Sequence, residues 1–324
     1  MQIINRGKHF VASYLPLAHL QRSKKVRQRV AATYGFADDL IAGVIDLGKP
    51  ALIGRLGATE ARVIGCYLDI VKLRNWYDPF ATFYSLITIR RRLKQLKNGA
   101  GFYPATFKTF LKFSKLYLDA YVESDLLACW GMPFTWSESE ALKITGLEII
   151  HHHATAPWVN PYVGSTSSLK PWTTTLNDKK ILIVSGFADT LRDQHAIIKN
   201  VFPFANYPNF QATFLKAPLS QGGLKDGKDS FTHLDSLFEE IKRTNFDILL
   251  VSAGSYSMPI AHFAKKIGKI GIHCGGELQL FFGVLGGRWD SNPKLLPYVN
   301  EYWTRPSENE KPKNWKSIEN GSYW

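Results

Sequence analysis

The chain has 324 residues, 45% hydrophobic and 21% charged, a balance that provides for a folded core and excludes a disordered polymer. Lys and Arg outnumber Asp and Glu by 40 to 27, a formal charge of +13, so the surface attracts nucleotides, phosphates, acidic glycans or anionic lipid. Zinc-finger spacing, aromatic RNA-binding signatures and basic-region heptads are missing, so nucleic acid is not an expected partner.

The segment 1–48 reads as a basic, amphipathic helical region, with apolar residues from Phe10 to Ile45 recurring at helical spacing. It packs on the body or lies on an anionic membrane surface. It holds no apolar run long enough for a signal peptide or a spanning helix, so the expected location is the cytoplasm, extending to the inner face of the membrane. Pro50-Ala51-Leu52-Ile53-Gly54 predicts a strand that breaks through Arg55-Leu56-Gly57 into a helix, with Ala58 or Thr59 near its cap. Arg90-Arg91-Arg92, Lys94, Lys97, Lys108, Lys112 and Lys115, interleaved with Phe107, Phe110, Phe113 and Tyr117, form the most basic stretch. It reads as a solvated helix face or as a surface for a lipid-linked or acidic acceptor.

Further strands are expected at Asp125 to Trp130, Leu147 to Ile150, Ile181 to Val184, Ala212 to Leu215, Ile248 to Val251 and Ile270 to Ile272. Helical patterns separate several of them, notably Thr190 to Val201, Leu234 to Arg243 and Pro259 to Ile267. This order predicts an α/β, Rossmann-like fold with a largely parallel sheet, flanking helices and a helical, basic N-terminal region. The expected domain is 49–303, with a sub-lobe boundary or long loop near 160–178, and 304–324 is an extended tail whose closing Tyr323-Trp324 docks back. Cys66, Cys129 and Cys274 are widely separated, with neither zinc nor disulfide spacing, and read as reduced thiols.

Three clusters carry the candidate chemistry. Ser252-Ala253-Gly254-Ser255-Tyr256-Ser257 joins a strand to a helix, where free N–H groups and the helix dipole favour phosphate; it lacks the spacing of a dinucleotide fingerprint or a Walker loop. His273, Gly275, Gly276, Glu277, Gln279 and Arg288 follow the next strand and offer groups for ribose, base or phosphate. His273 as a core imidazole and Glu277 as a helix cap are equal alternatives. Arg55, Gly57 and Glu60 form the third: Arg55 suits a diphosphate, and Glu60 suits a general base or a metal ligand. A surface salt bridge and a first-turn glutamate would leave the same letters. Asp189 and Gln194, after Ser185-Gly186-Phe187, mark one more strand-end loop. His151-His152-His153 does not present three metal ligands, because alternate strand side chains point to opposite faces.

The segments Ile53 to Glu60, Ile181 to Gln194, Leu249 to Ser257, His273 to Gln279 and Gly287-Arg288-Trp289-Asp290 together resemble the GT-D fold glycosyltransferases and related bacterial polysaccharide-biosynthesis proteins. The likeness runs from about Lys49 to Trp324. It implies a nucleotide-sugar donor and sugar transfer to a glycan or lipid-linked acceptor in surface polysaccharide or glycoprotein assembly. Founding members of that family carry an Asp-x-Glu metal motif where this chain has Ala58-Thr59-Glu60. Glu60 matches and the aspartate is absent, so a divalent metal held here would need carboxylates from elsewhere. The expectation is Glu60 as the catalytic residue, with Arg55, Gly57, Gly254, Ser255, Tyr256, His273, Gly275, Gly276, Glu277, Gln279 and Arg288 around the donor. Phosphoryl or pyruvyl transfer to a glycan, and a non-catalytic nucleotide- or glycan-binding module, are the competing expectations.

Overall fold

The computed structural model describes residues 37–55, 57–71, 79–129, 149–151, 171–203, 207–220 and 227–324. Seven strands form one sheet: β1 (Ala51–Arg55), β2 (Leu126–Cys129), β3 (Ile149–His151), β4 (Lys180–Ser185), β5 (Gln211–Lys216), β6 (Ile248–Ser252) and β7 (Ile270–His273). Their order is β3-β2-β1-β7-β6-β4-β5, and every pairing is parallel, with Ile53 opposite Leu126 on one side and Ile272 on the other. The fold is therefore α/β and Rossmann-like, and each predicted strand lies within a residue or two of its observed position. The helices are α1 (Ala37–Asp46), α2 (Ala58–Val71), α3 (Pro79–Asn98), α4 (Phe107–Val122), α5 (Ala188–Ala196), α6 (Ile198–Val201), α7 (Ser230–Arg243), α8 (Ser257–Lys266) and α9 (Leu278–Phe281).

Side chains alternate across the strands and divide the core into two layers. Leu52, Leu127, Leu182, Val184, Leu249 and Val251 face α2, α3, α4, α7 and α8. Ala51, Ile53, Leu126, Ile181, Ile183, Ile248, Leu250, Ile270 and Ile272 face α1, α5, α6, α9 and the last part of the chain. With both faces covered, the strands are continuous apolar runs, as buried parallel sheets require. Gly271 belongs to the first face: a Cβ there would overlap the Ala261 carbonyl, so the glycine lets α8 rest directly on β7.

Helix α1 precedes the expected boundary at residue 49, yet it buries Ile41 and Ile45 in the second layer, and Asp38 accepts the Trp172 backbone N–H at 3.0 Å. The rest of the predicted N-terminal helical segment, residues 1–36, and most of the 160–178 stretch lie outside the described residues. His151 ends β3, while His152 and His153 are outside them. Among the described residues no helix is long and apolar enough to cross a membrane.

Candidate functional site

The loops leaving the carboxyl ends of β1 and β6 lead to α2 and α8 on one face, and those leaving β4 and β7 lead to α5 and α9 on the other. Where neighbouring strands send their connections to opposite faces, a crevice opens at the carboxyl edge of the sheet, the usual ligand position in open α/β folds. A cleft of about 310 Å³ occupies that place. Arg55, Gly57, Thr59 and Glu60 line it from β1, Gly186 and Phe187 from β4, Ser252, Ala253, Gly254 and Ser257 from β6, and His273, Gly275 and Gly276 from β7. Its outer wall is Arg288, Glu319, Tyr323 and Trp324.

Glu60 is in the first turn of α2 and only 8% exposed. Its carboxylate lies over Gly57, where a Cβ would collide with it. Burial pushes the Glu60 carboxyl up to about 7. Its own backbone N–H and the Arg55 guanidinium oppose that rise, and the Glu319 carboxylate adds to it. A carboxyl in this range exchanges its proton near neutral pH, the property required of a general acid or base.

Arg55 is the hinge between the β1 and β7 turns. Its Nη1 donates to the Cys274 carbonyl at 2.8 Å and lies 3.7 Å from the buried Glu277 carboxylate. A Cβ on Gly275, whose φ is +66°, would strike the guanidinium, so that position favours glycine for both its backbone angle and the close approach. Arg288 pairs with Glu319 at 3.1 Å, donates to the Ser322 hydroxyl at 3.1 Å, and lies 4.1 Å from the centre of the Tyr323 ring.

Three of the helix N-termini at this edge, those of α5, α8 and α2, are each arranged differently. At α5 the buried Glu310 carboxylate accepts the backbone N–H groups of Asp189 at 2.9 Å and Thr190 at 3.2 Å, together with the Thr190 hydroxyl. At α8 the expected phosphate cradle is spent internally. Ala253 donates to the Ser257 hydroxyl at 2.8 Å, Ser255 to the Ala100 carbonyl at 3.1 Å, and Tyr256 to the Ala253 carbonyl at 3.1 Å. At α2, Gly57 and Thr59 open to the cleft beside Glu60. An anion seated there would meet the positive end of a 14-residue helix.

Of the residues expected at the site, the cleft brings together Glu60, Arg55, Gly57, Gly254, His273, Gly275, Gly276 and Arg288. Ser255, Tyr256, Glu277 and Gln279 are not among its lining. The Ser255 hydroxyl donates to the Ala100 carbonyl at 2.6 Å, and the Tyr256 hydroxyl to Ser230 at 2.9 Å inside the α2–α8 layer. Glu277 faces Arg55, and the Gln279 amide holds the Tyr323 carbonyl at 3.1 Å. All four are at most 2% exposed. Of the further strand-end pair, Asp189 bonds Arg192 and Lys216, and Gln194 bonds the Tyr302 carbonyl.

Sequence reading did not supply Gly99, Ala100, Pro218, Leu219 or Glu319, which reach the cleft from distant loops. Tyr323 and Trp324 do dock back as expected: Gly287 donates to the Trp324 carbonyl at 3.0 Å, Arg288 to that of Ser322 at 3.1 Å, and the Trp324 indole to that of Glu310 at 3.0 Å. That they also wall the cleft had no signal in the sequence. Among the described residues no group of three or more His, Cys, Asp or Glu side chains could hold a metal ion, so the side chains around Glu60 do not form a metal cage of their own.

Fold and site define a Rossmann-like α/β protein with a crevice at the carboxyl edge of its sheet. No protein-family model, curated protein or solved structure matches the chain.

Proposed function

We propose that the protein is a glycosyltransferase that binds a nucleotide-sugar in this crevice and passes the sugar to a glycan or lipid-linked acceptor. The observation that carries the reading is the meeting, in one cleft, of a carboxyl held near 7, arginines, and an aromatic wall. Sugar transfer needs those three things. The attacking hydroxyl must lose a proton, the departing diphosphate must be neutralised, and sugar or base must be held by its faces.

Glu60 takes the proton: with its carboxyl at about 7, a substantial fraction is ionised at neutral pH and ready to accept. Arg288, braced by Glu319 and Ser322, presents positive charge at the outer wall, and Thr59 with the N-terminus of α2 supplies further donors. Phe187, Tyr323 and Trp324 give the cleft an aromatic lining for a sugar or base. Arg55 acts as a positioning residue, because its bond to Cys274 and its contact with Glu277 hold the Gly275 turn against β1. Among the described residues no three His, Cys, Asp or Glu side chains form a cage for a divalent metal, and no step depends on one.

The test is a panel of UDP-, GDP- and dTDP-sugars scored first by thermal shift and then by product mass with glycan acceptors. A donor at roughly 100 times its dissociation constant adds about 2.7 kcal/mol of stability. Stabilisation by one nucleotide-sugar and a sugar mass increment on the acceptor are the expected results. No stabilisation by any nucleotide overturns the reading. A phosphoryl or pyruvyl increment replaces it with another glycan-modifying transfer, and binding without turnover replaces it with a binding module.

A further inference from the structure

Helix α3 has a face that neither the core nor the cleft uses. On its inner side Ile89, Leu93 and the fully buried Leu96 pack against the first core layer. On the outer side Phe83, Leu86, Ile87, Arg90, Arg91 and Lys94 follow one another at helical spacing, and all six are exposed. Phe83, Leu86 and Ile87 are 64%, 50% and 62% exposed. Among the described residues only ten large hydrophobics are exposed, so three within five positions on one face form a patch rather than scatter. The helix holds five basic residues, Arg90, Arg91, Arg92, Lys94 and Lys97, and no Asp or Glu.

We infer that this face seats α3 in the interface of an anionic lipid bilayer. The apolar end enters the boundary between headgroups and acyl chains, and the cationic end meets lipid phosphates one to two turns further along. Both signals are needed, since either an apolar anchor or a basic patch alone binds a bilayer weakly and reversibly. The charge pattern selects this occupant: a helix with no acidic residue complements a surface of one sign. The inference stands apart from the reading of the cleft as a sugar-transfer site. Combined with it, the placement has a consequence for the acceptor. The turn that ends α3 supplies Gly99 and Ala100 to the cleft, and the helical rise from Ile87 to Gly99 is about 18 Å. The cleft is thus held beside the interface that presents the headgroup of a lipid-linked acceptor.

The test is co-sedimentation of the full chain with phosphatidylcholine vesicles, with and without phosphatidylglycerol, at low and high salt. Wild type is expected to bind the anionic vesicles and to leave them as salt rises. The triple variant Arg90→Gln/Arg91→Gln/Lys94→Gln should bind on the order of 100-fold more weakly at low salt. Phe83→Ser/Ile87→Ser should lose about tenfold or more at any salt. Melting temperature and donor-induced thermal shift serve as controls, and both variants should keep them, since these side chains touch neither core nor cleft. Absence of binding to anionic vesicles, or equal binding by wild type and variants, overturns the inference. Loss in the charge variant alone also overturns it, because the helix would then rest on the headgroup charges without its apolar end entering the bilayer.

Discussion

Replacing Glu60 by Gln separates two effects of the same carboxyl, and each has a calculable size. Burial raises the Glu60 carboxyl from 4.5 to about 7 in the folded protein, so between those values the native state binds more protons than the unfolded chain. Stability contributed by the protonated form is fully present below about pH 4.5 and is lost as pH rises through about 7. At about 1.36 kcal/mol per pH unit of difference, the charged carboxylate costs the fold roughly 3 kcal/mol at alkaline pH. Gln keeps the shape without the charge. Glu60→Gln should therefore match wild type near pH 5 and exceed it near pH 9 by roughly 3 kcal/mol, or roughly 4–5 °C in melting temperature for a chain of this length. The assay is calorimetry of both proteins across that range in buffers of constant ionic strength. Besides burial and its own backbone N–H, the charges that act on the Glu60 carboxyl are Glu319, which raises it, and Arg55, which lowers it. A difference that is flat with pH, or wild type gaining on the variant as pH rises, would refute the buried, proton-holding Glu60. In the same proteins turnover of a nucleotide-sugar should fall by ~10²-fold or more with donor affinity retained, the signature of a lost general base.

Two other substitutions probe the supports of the cleft. Glu310→Ala empties the N-terminus of α5 and leaves two backbone N–H groups and the Thr190 hydroxyl without their acceptor. We expect a loss of roughly 3–5 kcal/mol in chemical denaturation, and faster proteolysis within 304–324 because the lost carboxylate ties that segment to α5. A loss below about 1 kcal/mol would show that water replaces the carboxylate. Gly57→Ala introduces a Cβ that meets only the end of the Glu60 side chain, which swings away at small cost. Unfolding free energy should stay within about 1 kcal/mol of wild type while the ~7 ionisation in the pH–rate profile shifts downward; an unchanged profile would place the Glu60 carboxyl elsewhere.

The architecture was legible from the sequence because it rests on local pattern. Apolar runs such as Ile248 to Val251, broken by small residues and followed by helical periodicity, can only be buried parallel strands with crossovers. The seven strands emerge at those positions for that reason. The polar positions near strand ends were legible for a related reason: turns from β1, β6 and β7 must all emerge at the same edge of a parallel sheet, so Arg55, Glu60, Gly254 and His273 were bound to be neighbours.

Which way each side chain then points was not local information. Ser255 and Tyr256 sit beside Gly254 in sequence, yet the Ala100 carbonyl and the Ser230 hydroxyl draw them inward, and those partners, in the turn after α3 and at the start of α7, lie 155 and 26 residues away. The interleaved aromatics after Arg90 divided in the same way: Phe110, Phe113 and Tyr117 are fully buried, whereas Phe107 is half-exposed, because only one side of α4 meets the sheet. The identity of the outer wall, too, waited for tertiary structure. Glu310 reaches the N-terminus of α5, and Gly286 leaves room for the Ser322 and Tyr323 backbone, and these two long-range fits carry Tyr323 and Trp324 to the cleft. Local sequence fixes backbone period and turn chemistry. The environment of a carboxyl such as Glu60, and hence its proton affinity, depends on what the rest of the chain packs over it.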